Sequence, residues 1–159
     1  KEQYRFEETN RQIIEIASKF PRVLELGCGE GHQTVFLARL ADHISGLDVS
    51  ERAVLRARKR YPDGVFKTGR MEDIGHLFPD ERFSLVTACE VLYYARDPAS
   101  TLSVLQGCAD KIYVSNYTER AHDMTALFSG PGWSSLPSIR HEETVWECHL
   151  WQFDQSGCT

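Results

Sequence analysis

The chain has 159 residues, 42% of them hydrophobic and 26% charged, which is the composition of an ordinary folded domain and unlike disordered, collagen-like or coiled-coil chains. Eighteen basic against 23 acidic residues give a net charge of -5 and no large basic surface to neutralise phosphates, so nucleic acid is not an expected partner. The longest apolar runs, Val35–Ala38 and Val91–Ala95, fall far short of the ~20 residues that cross a bilayer, so no membrane is expected; five cysteines (28, 89, 108, 148 and 158) without a Cys-x-x-Cys pair point to reduced thiols in a cytoplasmic protein.

Lys1–Glu8 is charged and carries no apolar secretory segment, and the absence of Met at position 1 leaves room for a leader or neighbouring domain before it. Ile13, Ala17 and Phe20 recur at helical spacing beside Ile14, predicting a helix near 7–19 that Pro21 stops. A strand at Val23–Leu26, a glycine loop and a helix near 31–42 with Phe36, Leu37 and Leu40 follow. The next strand is His43–Val49, and Ser50 can cap a helix striped by Val54, Ala57 and Tyr61 that ends at Pro62 and Asp63-Gly64. Its basic residues Arg52 and Arg56–Arg60 read as a solvated face.

Val65–Lys67 and Phe83–Ala88 are further short strands, Asp97-Pro98 opens a helix with Leu102, Leu105 and Ala109 on one side, and Ile112–Val114 is a fifth strand. After it, Ser129–Ser135 reads as a loop, and segments near 138–142 and 144–153 read as strands joined closely enough to be antiparallel. Strand-helix alternation repeated about five times means a parallel α/β sheet with crossover helices.

The stretch Glu25-Leu26-Gly27-Cys28-Gly29-Glu30-Gly31-His32 leaves a buried strand, turns through glycines and enters a helix. Such glycines allow a sharp turn and close approach of a ligand, and free amides at a helix start favour an anionic group, so a nucleotide-type cofactor is implied. Gly27, Gly29 and Gly31 form G-x-G-x-G, which differs from the dinucleotide G-x-G-x-x-G, and no Gly-Lys-Ser/Thr of a P-loop follows. Asp48 ends the second strand about 20 residues on, where a carboxylate can take both hydroxyls of a ribose, and a third site follows at Gly69.

On these residues the sequence resembles the class I S-adenosylmethionine-dependent methyltransferases over roughly residues 20 to 118. Gly46-Leu47-Asp48-Val49-Ser50, Ala53, Arg56-Ala57-Arg58 and Cys89-Glu90-Val91-Leu92-Tyr93-Tyr94 make it most like the NodS-type N-methyltransferases, which methylate a chitooligosaccharide amine. The resemblance implies a Rossmann-like sandwich: a mostly parallel seven-stranded sheet with an antiparallel C-terminal strand and helices on both faces. It implies one domain over 1–159, with a helix of about 2–20 as partial lid, a cofactor-binding core of about 21–118 and a strand pair of about 137–154.

The implied cofactor is S-adenosylmethionine, released as S-adenosylhomocysteine. Its implied binding residues are Glu25, Gly27, Cys28, Gly29, Gly31, Asp48 for the ribose, Val49 against the adenine, Met71 and Glu72 at the adenine edge, and Cys89 at the methionine end. Glu90 and Tyr94 are the candidate catalytic residues. Two features depart from the family pattern. Arg70 stands where an acid is frequent, and Leu105–Asp110 replaces a Pro-Gly-Gly turn.

Simpler roles stay open for several residues. Glu90 can be a strand-end carboxylate paired with an arginine, and His32 a solvated or capping residue. Tyr93 and Tyr94, being adjacent, are expected to point to different sides. Trp146 and Trp151 are expected in the core, and Trp133, in its Gly/Pro loop, at the substrate. His122, His141 and His149 lack a metal-ligand spacing, so no metal is expected. The expected acceptor is an amine or hydroxyl of a small molecule or sugar; with the N-terminal helix and the 129–137 loop as the only lid, the site is expected to be open, with room for a large acceptor such as an oligosaccharide or a protein side chain, or for completion by a neighbouring domain. A nicotinamide-dependent oxidoreductase and a non-catalytic cofactor-binding subunit are the competing readings; His32 at the third-glycine position argues against the first.

Overall fold

Seven strands form one sheet in the order β3-β2-β1-β4-β5-β7-β6. The computed structural model describes residues 1–153; Cys158 and the final residue of the strand pair expected to reach 154 lie outside the described residues. The strands are β1 (Phe20–Leu26), β2 (Ala41–Asp48), β3 (Val65–Thr68), β4 (Leu85–Cys89), β5 (Lys111–Tyr117), β6 (Trp133–His141) and β7 (Thr144–Gln152). β1 to β5 pair in parallel, and β7 runs antiparallel to both β5 and β6. This is the expected sheet.

Neighbouring strand residues divide the core between the two faces, because successive side chains alternate. Leu24, Val86, Ile112 and Val114 pack on one face with Ile74 of α4 (Ile74–Leu77) and with Leu102 and Leu105 of α5 (Pro98–Cys108). Val23, Leu85 and Tyr113 pack on the other with Ile13 of α1 (Glu2–Ile16) and Leu37 of α2 (Thr34–Leu37). Two helices start where the sequence places a cap. Ser50 Oγ accepts from the Ala53 amide to open α3 (Glu51–Arg60), and the Asp97 carboxylate accepts from the Ser100 amide ahead of Pro98 in α5.

Four boundaries differ from expectation. α1 ends at Ile16, because Ala17 turns extended and Phe20 already pairs with Ala41; Pro21 lies inside β1 at a position absent from the ladder with β2. The helix expected to 42 stops with a 3-10 turn at Leu40, since Ala41–His43 is drawn into that same pairing. Residues 118–128, for which no element is predicted, form α6 (Thr118–Ala121) and a 3-10 segment, and another short turn precedes α4 at Met71–Asp73. The loop expected over 129–137 is half strand. β6 begins at Trp133 and accommodates Pro137 at a register shift between Leu136 and Ile139, a place where an edge strand tolerates a missing amide.

β1 connects outward to β2 and β3, whereas β4 lies on its other flank, so the chain direction across the sheet reverses between β1 and β4. A crevice opens beyond the carboxyl ends of the strands at such a point. Gly31, at φ +85°, seats the turn after β1 on α3: a Cβ there would lie 3.2 Å from the Ala57 Cα. Gly31→Ala is expected to destabilise the fold by about 2 kcal/mol, from left-handed backbone strain and that contact. Gly107→Ala, in helix α5 with no atom near the added methyl, is expected to stabilise it by about 0.5 kcal/mol. Urea denaturation of the two variants checks both signs.

Candidate functional site

The glycine turn after β1 is built by three left-handed residues, Gly27, Gly29 and Gly31, at φ +66°, +52° and +85°. Its amides are tied to β2. Cys28 N–H donates to the Leu47 carbonyl at 3.0 Å, and Gly29 N–H donates to Asp48 Oδ2 at 2.9 Å. The other carboxylate oxygen, Oδ1, accepts from the Ser50 amide at 2.9 Å. Two backbone donors thus hold Asp48 in one orientation, and each oxygen keeps capacity for a ligand.

Asp48 lines a cleft of about 560 Å³ with Gly27, Leu47, Val49, Gly69–Glu72, Cys89–Val91, Tyr94 and Arg96. At its outer end Val49 is 70% exposed and faces an apolar stretch with Leu47 and half-buried Met71. Glu72 Oε1 there accepts from the Arg96 amide at 3.1 Å, joining the segment after β3 to that after β4. At its inner end lie Cys89 and Glu90. Burial pushes the Cys89 thiol up to about 11, so it sits as a neutral thiol, with Gln33 Nε2 3.6 Å from its sulfur.

Glu90 has the unusual backbone of this end, φ +56° in a residue with a side chain, a strain of about 1–3 kcal/mol. Its amide donates to the Ser115 carbonyl at 2.7 Å. Its side chain is clamped: Oε1 accepts from Trp146 Nε1 at 2.8 Å, and Oε2 lies 4.0 Å from Arg5 Nε. The arginine pairing held open for Glu90 therefore exists, and it coincides with a place in the cleft wall. Arg5 is only 5% exposed; it also meets Glu2 at 2.8 Å and Gln33 at 3.3 Å, and its Nε has no hydrogen-bond partner.

Of the residues predicted for the site, the cleft brings together Gly27, Asp48, Val49, Met71, Glu72, Cys89, Glu90 and Tyr94. Gly29 shapes the turn and fixes Asp48, and Gly31 seats the turn on α3. Glu25 and Cys28 lie beneath the cleft and outside its lining. Glu25 is 4% exposed and accepts a hydrogen bond from the Thr34 hydroxyl, while Cys28 packs with Val54, Ala57 and Phe66. His32 is exposed beside Arg60 and Glu30, also outside the cleft.

Two expectations, for Trp133 at the substrate and for the 129–137 loop as lid, are corrected. Trp133 pairs with Trp151, which pairs with Ile112 at the start of β5, so it sits at the end of the sheet opposite the cleft. The 129–132 turn lies there too and cannot cover the site. Trp146 is buried as expected, and it also reaches Glu90, because it pairs with Tyr117 at the end of β5. Tyr93 and Tyr94 lie on a 3-10 turn rather than a strand and meet edge to face at 5.0 Å.

Sequence reasoning missed Arg5, Gln33 and Arg96. The signal for Arg5 is its spacing: Arg5, Thr9 and Ile13 recur every four residues and all are buried, so a cation stands on the core stripe of α1.

Comparison with known proteins gives one family. The methyltransferase domain family matches residues 23–111. Ubiquinone biosynthesis O-methyltransferase of Aromatoleum aromaticum is 35% identical over 89 residues, covering 52% of this chain and 36% of that protein. Nodulation protein S of Sinorhizobium fredii is 28% identical over 94 residues, covering 59% and 44%. The chain thus spans less than half the length of these curated relatives. Among solved structures, N-methyltransferase NodS of Bradyrhizobium japonicum with S-adenosyl-L-homocysteine superposes with a TM-score of 0.72 at 17% identity, over 93% of this chain and 87% of that one. Magnesium protoporphyrin IX methyltransferase of Synechocystis with bound SAM gives 0.75 at 16% identity, over 96% and 80%.

Burial raises the Glu25 carboxyl to about 8, only partly offset by the Thr34 hydroxyl. Between pH 4.5 and about 8 the folded chain keeps a proton that the unfolded chain releases, so stability from this group is greatest at low pH and falls as pH rises. Glu25→Gln removes that dependence. Its unfolding free energy, followed by urea denaturation, is expected to gain on the parent's from pH 4.5 to 8, by up to about 5 kcal/mol at ~1.4 kcal/mol per pH unit. A gap that stays constant with pH would refute this.

Proposed function

Because the chain belongs to the methyltransferase domain family, we propose that it is a single S-adenosylmethionine-dependent methyltransferase domain. Its acceptor is an amine or hydroxyl of a small molecule or sugar, with α1 as a partial lid. The observation that carries the proposal is the shared cleft: a carboxylate fixed by two amides, Asp48, and a clamped carboxylate, Glu90, line the same 560 Å³.

The residues present fit the cofactor. Asp48 suits a ribose diol, the apolar stretch of Val49, Leu47 and Met71 suits an adenine ring with Glu72 near its exocyclic amine, and Gly27 lets an amino-acid tail approach the backbone. The unpartnered, buried Nε of Arg5 suits the tail's carboxylate. When bound, the cofactor supplies a methyl group on a sulfonium whose leaving group is a neutral thioether, so positioning rather than strong acid-base chemistry is what the protein must provide. Glu90 accepts a hydrogen bond, and then the proton, from the incoming N–H or O–H, and the Trp146 indole holds it in the orientation to do so. Tyr94, which lines the same cleft, orients the acceptor.

Calorimetric titration tests this directly. S-adenosylmethionine and S-adenosylhomocysteine are expected to bind and NAD is not; binding of NAD alone would establish the oxidoreductase reading instead. Asp48→Ala and Arg5→Gln are each expected to weaken S-adenosylhomocysteine by about 10- to 100-fold, the cost of hydrogen bonds to a charged group. Glu90→Ala is expected to retain cofactor binding and lose turnover; unchanged turnover would remove Glu90 from the chemistry.

A further inference from the structure

The mouth of the cleft holds an aromatic pair and a guanidinium to which the cofactor gives no task. Tyr94 is 67% exposed although it lines the cleft beside Glu90, and the Tyr93 ring lies 5.0 Å from it. The Tyr94 hydroxyl accepts from Arg120 Nη1 at 2.8 Å, and the Arg120 guanidinium carbon lies 5.7 Å from the centre of the Tyr93 ring. Arg120 belongs to α6, directly after β5, so the segments following β4 and β5 meet at this point. An exposed tyrosine pinned at its tip by an arginine presents its ring in a set position and has already lost the freedom a ligand would otherwise have to remove.

The charges around the opening have a direction. Glu90, at the inner end, excludes an anion from the reaction point and receives a neutral N–H or O–H. Arg120, beside Tyr94 at the mouth, forms no ion pair within 4 Å among the described residues. A guanidinium offers five donors in a planar fork that matches a carboxylate, and the bond to Tyr94 uses one. Aromatic rings favour flat partners in stacked or edge-to-face contact.

We propose that Tyr93, Tyr94 and Arg120 form an acceptor subsite for a planar aromatic molecule that carries a carboxylate at the end distant from the methylated amine or hydroxyl. The inference rests on the methyltransferase reading and narrows its acceptor class. The nucleophile enters toward Glu90, loses its proton there, and the carboxylate stays outside on Arg120.

The test uses the protein saturated with S-adenosylhomocysteine and titrated, by calorimetry and ligand-observed NMR, with 4-aminobenzoate and 3,4-dihydroxybenzoate against aniline and catechol. The carboxylated members are expected to bind at least about 10-fold more tightly than their neutral partners, the yield of one charge-assisted pair. Arg120→Gln is expected to abolish that preference with S-adenosylhomocysteine affinity unchanged, and Arg120→Lys to restore part of it. Equal binding of charged and neutral members, a preference that survives Arg120→Gln, or tighter binding of glucosamine than of either benzoate would overturn the subsite while leaving the methyltransferase reading intact. Failure of S-adenosylhomocysteine to bind would overturn that reading and the subsite with it.

Discussion

The hydrogen bond from the Gly29 amide to Asp48 joins two elements that the chain has to bring together before any cleft exists. It can form only if the backbone between β1 and α2 takes left-handed values at Gly27, Gly29 and Gly31, which residues with a Cβ rarely adopt. Two of these positions are also sterically closed. A Cβ at Gly27 would lie 2.7 Å from Val91 Cγ2, and one at Gly31 would meet the backbone of α3. The same turn therefore sets the distance from β1 to the segment after β4 and the seat of α3. It also fixes the direction of Asp48, so these features stand or fall together.

The two ends of the cleft are held by different means. The outer end rests on backbone amides, which fix Asp48 through Gly29 and Ser50 and fix Glu72 through Arg96. The inner end rests on side chains from distant strands and helices: Trp146 on β7, Arg5 on α1 and Gln33 just before α2 converge on Cys89 and Glu90. Backbone amides are available to any sequence that folds this way, whereas a clamp of side chains depends on residue identity. A strained backbone at Glu90 persists only because that clamp and the bond to Ser115 over-determine it.

That difference explains what the sequence made legible. The glycines, Asp48, Ser50 and Asp97 signal through local backbone chemistry, and alternation of apolar runs with capped helices specifies the parallel sheet, so the outer end could be read residue by residue. Glu90 and Tyr94 could be named from their position after a strand. Arg5 could not, because a charged helix near the N-terminus looks solvated until its four-residue stripe is set against the sheet. Trp133 was misplaced, and the reach of the buried Trp146 to Glu90 was missed, for a related reason: alternation assigns a strand residue to a face of the sheet and says nothing about which end of the partner strand it meets. Pro137 hid the first half of β6, since a bulge on an edge strand admits a residue that a ladder would reject.

Arg5 also links the charge states of groups that do not touch one another. It bears on Glu25 beneath the turn and on the Cys89 thiol, and in both cases it favours the negatively charged form. Burial outweighs it at Glu25 and Cys89, which remain protonated at neutral pH, so its charge is left for Glu2, Glu90 and whatever anion enters the inner end. Keeping the buried carboxyl and thiol neutral leaves the Arg5 Nε without a hydrogen bond and with Glu90 Oε2 4.0 Å away. Because Arg5 is carried by α1, docking of that helix on the sheet, through Ile13, is what brings the cation to Glu90 and Gln33, so the packing of the core and the clamp at Glu90 come from a single event.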